Sequence, residues 1–193
     1  MQRICVFCGS KAGIRPSYAE AAKELGQNLA RNDLALVYGG GGVGLMGILA
    51  DSVLAADGNV IGVIPRNLIE RELGHAKLTE LRVVDSMHER KAVMAELSDA
   101  FIVLPGGAGT MEEFFEVWSW AQLGIHQKPS GLLNVEGYYD PLLAFLDAMV
   151  GQGFLATEHR AMVLVERDPD TLLARFASYR APAAAEWVDR AET

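Results

Sequence analysis

Residues 99–113, DAFIVLPGGAGTMEE, place a run of apolar residues directly before a cluster of glycines and two adjacent glutamates. The apolar run has the length and composition of a strand buried on both faces of a sheet. The glycines free the backbone to turn sharply and to approach a ligand closely. The segment therefore predicts a buried strand, a tight turn and a helix from about Thr110 to Leu123.

The same unit of strand, turn and helix repeats along the chain. Strands are predicted at RICVFCGS (3–10), LALVYGG (34–40), NVIGVIP (59–65), DAFIVLPGG (99–107), PSGLLNV (129–135) and MVLVE (162–166). Helices are predicted at 16–32, 43–58, 86–98, 110–123, 139–153 and 168–180. This alternation predicts an α/β fold, a doubly wound, Rossmann-like and mostly parallel sheet with helices on both faces.

The predicted organisation is one domain over residues 1–180 with a C-terminal tail at 181–193. Its 193 residues, 50% of them hydrophobic, suffice for one substantial core. Segment 66–80 lacks a clear pattern and is expected to be an irregular excursion. The tail, APAAAEWVDRAET, is rich in alanine and is expected to fray or form a short helix.

Charge and hydropathy exclude several partner classes. The net charge of −8 argues against duplex nucleic acid, which needs a basic surface. No apolar run is long enough to span a bilayer, so no membrane partner is expected. Met1 leads directly into the first predicted strand without a signal peptide, and a cytoplasmic location is therefore expected.

Cys5 and Cys8 form a C-x-x-C pair inside the first predicted strand. A zinc site would need a second pair of ligands, and the sequence contains no other cysteine. A redox pair would sit at a helix start, whereas residues three apart on a strand face opposite sides. Buried, unpaired thiols are the expected arrangement.

Three turns should meet on one edge of the sheet, because ligands of open α/β sheets bind at the carboxyl ends of the strands. These turns are CGSKAG (8–13), YGGGGVGLMG (38–47) and LPGGAGTMEE (104–113). Glycines before a helix expose backbone N–H groups at the positive end of the helix dipole, which favours an anion. The alternative at each turn is a glycine run that only permits a tight strand-to-helix connection.

The second turn also fits a dinucleotide motif, since Gly39, Gly41 and Gly44 satisfy G-x-G-x-x-G. However, the next predicted strand ends in Ile64-Pro65-Arg66, without an acid for a ribose diol. Arg66 could meet a 2′-phosphate, so NADP stays open as an alternative. Neither glycine loop continues into G-K-[ST], which argues against a P-loop NTPase.

Charged residues beside these turns are candidates for chemistry. Glu112 and Glu113 are predicted in the first turn of their helix, where acids complement the dipole. The dipole does not explain why they adjoin a glycine turn at the ligand-binding edge. His88, Arg90 and Lys91 are predicted early in another helix, where positive charge opposes the dipole. A bound anion would explain that placement, and a solvated basic face is the alternative.

The motifs together resemble those of the LONELY GUY family of cytokinin-activating phosphoribohydrolases, formerly described as lysine decarboxylases. PGGAGTMEE (105–113) fits the family signature P-G-G-x-G-T-x-x-E, and SMHERK (86–91) and YGGGGVGLMG accompany it. Further matching segments are CGSKAG, IPRNLIERELGH (64–75) and WAQLGIHQKPSGLLNVEGYYDPLL (120–143). The resemblance covers about residues 2 to 150.

The resemblance implies hydrolysis of the N-glycosidic bond of a nucleoside 5′-monophosphate, with release of free base and ribose 5-phosphate. It implies catalytic roles for Arg90 and Glu113, a homodimer, and no metal or redox cofactor. The substrate-binding positions expected from the resemblance and from the glycine turns are Gly9, Ser10, Gly41, Gly42, Glu72, Arg90, Lys91, Gly107, Ala108, Gly109, Thr110, Met111, Glu112, Glu113 and Ser119.

The residue types suit this chemistry, because breaking the bond at C1′ builds positive charge on the ribose that a carboxylate stabilises. Glu113 is the candidate carboxylate. Arg90 is expected to orient the substrate, since its pKa is too high for a general acid. AMP is an expected further substrate, and a non-catalytic nucleotide or molybdenum-cofactor carrier is the alternative. The apolar segment FFEVWSW (114–120) suits either the core or a dimer contact.

Overall fold

A computed structural model describes residues 1–69 and 74–182 of the chain. Within these residues, seven parallel strands form one sheet in the order β4-β3-β2-β1-β5-β6-β7. The strands are β1 (Arg3–Phe7), β2 (Ala35–Tyr38), β3 (Val60–Pro65), β4 (Glu80–Val84), β5 (Ala100–Val103), β6 (Ser130–Leu133) and β7 (Val163–Glu166). The fold class predicted from the alternating pattern is confirmed.

Helices cover both faces of the sheet. They are α1 (Pro16–Arg31), α2 (Gly44–Ala55), α3 (Met87–Leu97), α4 (Ala108–Gln122), α5 (Asp140–Gly151), α6 (Thr157–Ala161) and α7 (Pro169–Ser178). One core cluster joins the sheet to α1, α2 and α7, and the other joins it to α3, α4 and α5. Successive β1 side chains alternate between the clusters, as the two-residue period of a strand requires.

The strand order reverses beside β1. Chain order runs outward from β1 through β2 and β3 to β4, whereas β5, β6 and β7 follow on the other side of β1. The connections after β1 and β5 therefore leave the sheet at adjacent positions and diverge to opposite faces. This topological switch point is where open α/β sheets form a ligand crevice.

Strand β4, the short helix α6 and the start of α4 differ from the sequence prediction. The edge strand β4 was not predicted, because ELRVV mixes charged and apolar residues and four of its five side chains are exposed. Helix α4 begins at Ala108 with Gly107 as N-cap, so Thr110 is not the first helical residue. Glu112 and Glu113 consequently lie in the second turn. The effect of the helix dipole falls off within the first turn, so it does not account for their position.

The N-terminus of α3 has a side-chain cap. The Ser86 side chain caps α3 by accepting a hydrogen bond from the Glu89 N–H at 3.1 Å. The Glu89 carboxylate reaches back to the N–H of Asp85 at 2.8 Å, one residue before the usual capping-box partner. Across the described ranges, no helix is long and apolar enough to cross a bilayer. Most of the predicted tail, residues 183–193, lies outside the described residues.

Candidate active site

A cleft at the switch point consists of two adjoining compartments that share Ser10 and Gly107. The polar compartment, of about 280 Å³, is lined by Cys8, Ser10, Met46, Met87, Arg90, Gly107, Ala108, Gly109, Thr110, Glu112 and Glu113. The apolar compartment, of about 400 Å³, is lined by Gly9, Ser10, Lys11, Ala12, Gly13, Tyr18, Leu45, Pro105, Gly106, Gly107 and Tyr138. Turns after β1 and β5 thus form the wall common to both.

The N-terminus of α4 opens into the polar compartment. Its first residues, Ala108, Gly109 and Thr110, line the cavity together with the N-cap Gly107. First-turn N–H groups have no acceptor within their own helix, and no described side chain caps α4. Thr110 is buried against Gly106, where a β-carbon would meet its hydroxyl oxygen at 2.2 Å. The cavity wall therefore presents N–H donors and the positive end of a helix dipole.

Arg90 of α3 also lines the polar compartment and is almost completely buried. Its Nε donates a hydrogen bond to the carbonyl of Val63 at 3.1 Å, and its Nη2 donates to the carbonyl of Gly39 at 2.7 Å. The first carbonyl lies within β3, and the second belongs to the residue directly after β2. A β-carbon at Gly39 would lie 1.9 Å from the same Nη2, so only glycine leaves room for the guanidinium.

Glu113 of α4 lines the polar compartment together with Arg90 and Cys8. Burial raises the pKa of the Cys8 thiol, and the negative charge of Glu113 raises it further. The Cys5 thiol has its pKa raised by the same two effects, which a hydrogen bond with Ser98 and the charge of Arg90 partly offset. Cys5 and Cys8 are both unpaired and buried, in opposite core clusters, as the sequence predicted. Cys8 therefore contributes a neutral thiol, and the carboxylate supplies the anionic group.

Lys91 follows Arg90 in sequence but has a different environment. Its ammonium group pairs with Glu112 and, at 3.0 Å, with Glu116, and only 7% of its side chain is exposed. Burial alone would lower the pKa of Lys91, but hydrogen bonds to the two carboxylates outweigh it and raise the pKa. Lys91 thus joins α3 to α4 and balances the charge of Glu112.

The glycine turn before α2 is used differently from the turn before α4. The N–H of Leu45 donates to the carbonyl of Gly9 at 3.0 Å, so the turn after β1 covers this helix start. Gly44 permits that contact with a φ of +62°, since a β-carbon there would collide with the Ser10 carbonyl. Gly41 pairs instead with Gly74 in an isolated β-bridge.

The structure brings most of the expected site residues together in the cleft. These are Gly9, Ser10, Arg90, Gly107, Ala108, Gly109, Thr110, Glu112 and Glu113. Five other expected residues do not belong to the described lining of either compartment: Gly41, Gly42, Lys91, Met111 and Ser119. Ser119 is exposed on α4, and Met111 packs against the core. Glu72 lies outside the described residues.

Several residues of the cleft had no role in the sequence prediction. Cys8 and Met46 line the polar compartment, and Tyr18 and Tyr138 line the apolar one. The Tyr18 and Tyr138 rings meet edge to face, with centroids 5.6 Å apart. Aromatic residues after β6 lie far along the chain from the glycine turns, so local patterns do not connect them.

Fold and cleft define a parallel α/β protein of the Rossmann type whose donor-lined cavity lies at the switch point. The family profile described as "Possible lysine decarboxylase" matches residues 46–176. The chain is 53% identical over 178 residues to the probable cytokinin riboside 5′-monophosphate phosphoribohydrolase LOGL9 of Oryza sativa subsp. japonica, covering 92% of this chain and 78% of the relative. It is 51% identical over 178 residues to the phosphoribohydrolase LOG1 of Arabidopsis thaliana, covering 92% and 84%.

This chain therefore belongs to the family of cytokinin riboside 5′-monophosphate phosphoribohydrolases, and the resemblance to the LONELY GUY family is confirmed. Among solved structures, the molybdenum cofactor carrier protein of Chlamydomonas reinhardtii has a TM-score of 0.67 at 22% identity, covering 92% of this chain and 96% of that one. The molybdenum cofactor binding protein of Rippkaea orientalis has a TM-score of 0.69, with the same identity and coverage. At this identity the likeness concerns the fold alone.

Proposed function

We propose that this protein hydrolyses the N-glycosidic bond of nucleoside 5′-monophosphates, with cytokinin riboside 5′-monophosphates and AMP as substrates. The names of relatives about half identical in sequence support the reaction class. The observation that carries the proposal is the meeting of Arg90, Glu113 and the N-terminus of α4 in one cavity. We propose that no metal or redox cofactor takes part.

The 5′-phosphate binds at the start of α4. Backbone N–H groups of Gly107, Ala108, Gly109 and Thr110 donate to its oxygens, and the helix dipole favours its charge. Ser10 lines the same wall and supplies a hydroxyl. This use of the first turn explains why the signature is rich in glycine, since side chains at 107 and 109 would stand between the ligand and the backbone.

The carboxylate of Glu113 faces the ribose. As the bond between C1′ and the base nitrogen breaks, its electron pair goes to the base and positive charge develops on the sugar ring. A carboxylate beside the ring stabilises this charge and positions the attacking water. The water oxygen bonds to C1′, and its proton balances the charge on the departing base. The products are ribose 5-phosphate and free base.

Arg90 orients the substrate and stabilises developing negative charge. Two backbone carbonyls fix its guanidinium, so little conformational entropy is lost when substrate binds. A guanidinium with a pKa above about 12 is a poor proton donor, so Arg90 assists the leaving base by hydrogen bonding. The further substrate positions, Glu72, Lys91, Gly41, Gly42, Met111 and Ser119, remain part of the proposal for the complete binding site.

We also propose a homodimer and a cytoplasmic location. Phe114 and Trp118 of the apolar segment lie in the core, but Phe115 and Trp120 are only half buried on the described surface of α4. Leu123 and Ile125 extend this surface and are 44% and 66% exposed. Sedimentation should give a mass near twice 20.9 kDa.

Unpaired buried thiols suit a reducing compartment, which cell fractionation can check.

A direct assay tests the proposed reaction. Purified protein incubated with AMP or with isopentenyladenosine monophosphate should release adenine or isopentenyladenine together with ribose 5-phosphate. A non-catalytic carrier would retain the nucleotide and release no base. Ligand retention without products for all nucleoside monophosphates tried would therefore contradict hydrolysis and favour the carrier alternative.

A further inference from the structure

Four consecutive backbone carbonyls of the signature turn accept hydrogen bonds from the protein. Leu104 accepts from the Tyr139 hydroxyl at 2.6 Å, and Gly106 accepts from the Tyr138 hydroxyl at 2.6 Å. The Pro105 carbonyl accepts from the Gly9 N–H at 3.1 Å, and the Gly107 carbonyl accepts from the Met111 N–H at 3.1 Å. The carbonyl oxygens are thus held by protein donors while α4 presents its N–H groups to the cleft.

The Gly106–Gly107 peptide is the peptide of this turn whose rotation would matter most for anion binding. A half-rotation of that peptide would carry φ of Gly107 from −94° into the positive range. Glycine adopts positive φ at almost no steric cost, so the chain itself offers little resistance. The rotated peptide would turn the Gly106 carbonyl toward the cavity in place of the Gly107 N–H, and an anion would then meet a partial negative charge.

We propose that the Tyr138 hydroxyl is a positioning group that prevents this rotation and so keeps the signature turn able to bind an anion. The inference rests on the proposed function of the turn as a phosphate site. Tyr138 lines the apolar compartment and is 40% exposed, so its hydroxyl adds little to the core. Its neighbour Tyr139 is buried and donates a hydrogen bond to the Leu104 carbonyl. The nitrogen of that peptide belongs to Pro105 and carries no N–H group that could be turned away from the cleft.

The pair of adjacent tyrosines provides a matched experiment with Tyr138→Phe and Tyr139→Phe. Binding of ribose 5-phosphate is measured by calorimetry, turnover of AMP by base release, and folding by thermal unfolding. If about nine-tenths of free Tyr138→Phe protein adopts the rotated peptide, ribose 5-phosphate binding should weaken about tenfold and KM should rise about tenfold. The kcat value should stay within about twofold of the parent protein. Tyr139→Phe should lower Tm and change the binding constant by less than about threefold.

A second variant separates peptide rotation from general damage. Alanine disfavours positive φ, and a β-carbon at Gly107 meets no described atom within 4 Å. Any interference of the new methyl group with the ligand is the same in Gly107→Ala and in the double variant Tyr138→Phe/Gly107→Ala. The double variant should therefore bind ribose 5-phosphate as tightly as Gly107→Ala alone, whatever the binding constant of Gly107→Ala relative to the parent protein.

Two results would overturn the inference. One is a Tyr138→Phe binding constant within twofold of the parent protein, and the other is an equal loss of binding in both tyrosine variants. If the parent protein binds ribose 5-phosphate without hydrolysing AMP, the proposed reaction fails while the role of Tyr138 is still tested. If the parent protein does not bind ribose 5-phosphate, the anion site and the role of Tyr138 fail together.

Discussion

At the scale of single residues, adjacent side chains of similar charge take different tasks. Arg90 lines the cleft, whereas Lys91 does not line it and pairs with Glu112 and Glu116. Likewise Glu113 is assigned the reactive role in the cavity, whereas its neighbour Glu112 forms an ion pair with Lys91. The sequence predicted Arg90 and Glu113 as the reactive pair only through the family signature, because helical spacing alone does not say which neighbour faces the ligand.

Glu113 is the residue on which the proposed chemistry depends most. Glu113→Gln keeps the size of the side chain but removes the charge that stabilises the ribose cation. We expect kcat to fall by about 100- to 1,000-fold, the range for removal of one preorganised electrostatic group, with nucleotide binding retained. Base release by chromatography and AMP binding by calorimetry measure the two effects.

The matched control is Glu116→Gln, which lies on the same helix and pairs with Lys91 but does not line the cavity. It should retain kcat within about tenfold of the parent protein. Comparable kcat values for Glu113→Gln and the parent protein would contradict the role assigned to this carboxylate.

Gly39 tests whether the buried position of Arg90 matters. In Gly39→Ala the new methyl group would overlap the guanidinium, so Arg90 must move and lose its hydrogen bond to the residue 39 carbonyl. We expect kcat/KM to fall by about 100-fold, since displacement of a positioning group by 1 Å has effects of this size. Steady-state kinetics checks the prediction, with circular dichroism to verify folding.

Gly109→Ala provides the comparison for Gly39→Ala, because a β-carbon at Gly109 meets no described atom within 4 Å. Any loss there would come from the bound ligand and would appear mainly in KM. Unchanged kcat/KM in Gly39→Ala would show that Arg90 can work from another position.

At the scale of secondary-structure elements, contact between α3 and α4 sets the distance across the cleft. Lys91 of α3 joins Glu112 and Glu116 of α4. Lys91 is next to Arg90 in sequence, and Glu112 is next to Glu113. Lys91→Met should destabilise the fold by about 1–2 kcal/mol, between the values for exposed and buried ion pairs. Thermal unfolding measures the loss, and a Tm equal to that of the parent protein would contradict it.

The same ion pairs predict a dependence on alkaline pH. The folded-state pKa of Lys91 is raised, so its stabilising contribution is complete below the ordinary lysine pKa of about 10.4 and is lost as pH rises through the folded value. The Tm difference between the parent protein and Lys91→Met should therefore shrink above about pH 10.4. A difference that stays constant there would argue against the ion pairs as its source.

Elements with regular patterns were predictable, and those that depend on neighbours were not. Six strands and six long helices follow from apolar runs and turn residues. Strand β4 was missed because its alternation includes Glu80 and Arg82 on an exposed edge. The start of α4 was placed two residues late, since glycines normally argue against a helix interior and only the turn geometry shows that Gly109 is helical.

At the scale of the whole molecule, strand order decides where the site lies. The sequence predicted a parallel sheet and the turns that meet at its carboxyl edge, but not which strands are neighbours. Placing β5 beside β1 brings the signature turn against the Gly9–Ser10 turn, with the N–H of Gly9 bonded to the Pro105 carbonyl. Tyr138 reaches the apolar compartment because β6 lies next to β5. This position depends on a contact between distant segments of the chain.

The central claim is that the N-terminus of α4 holds the phosphate while Glu113 faces the sugar of the same nucleotide. A crystal structure of Glu113→Gln with bound AMP tests this most directly. We predict phosphate oxygens within hydrogen-bonding distance of the N–H groups at 107–110, and the ribose C1′ beside residue 113 and Arg90. A nucleotide whose phosphate lies away from α4, or whose C1′ lies in the compartment of Tyr18 and Tyr138, would contradict the claim.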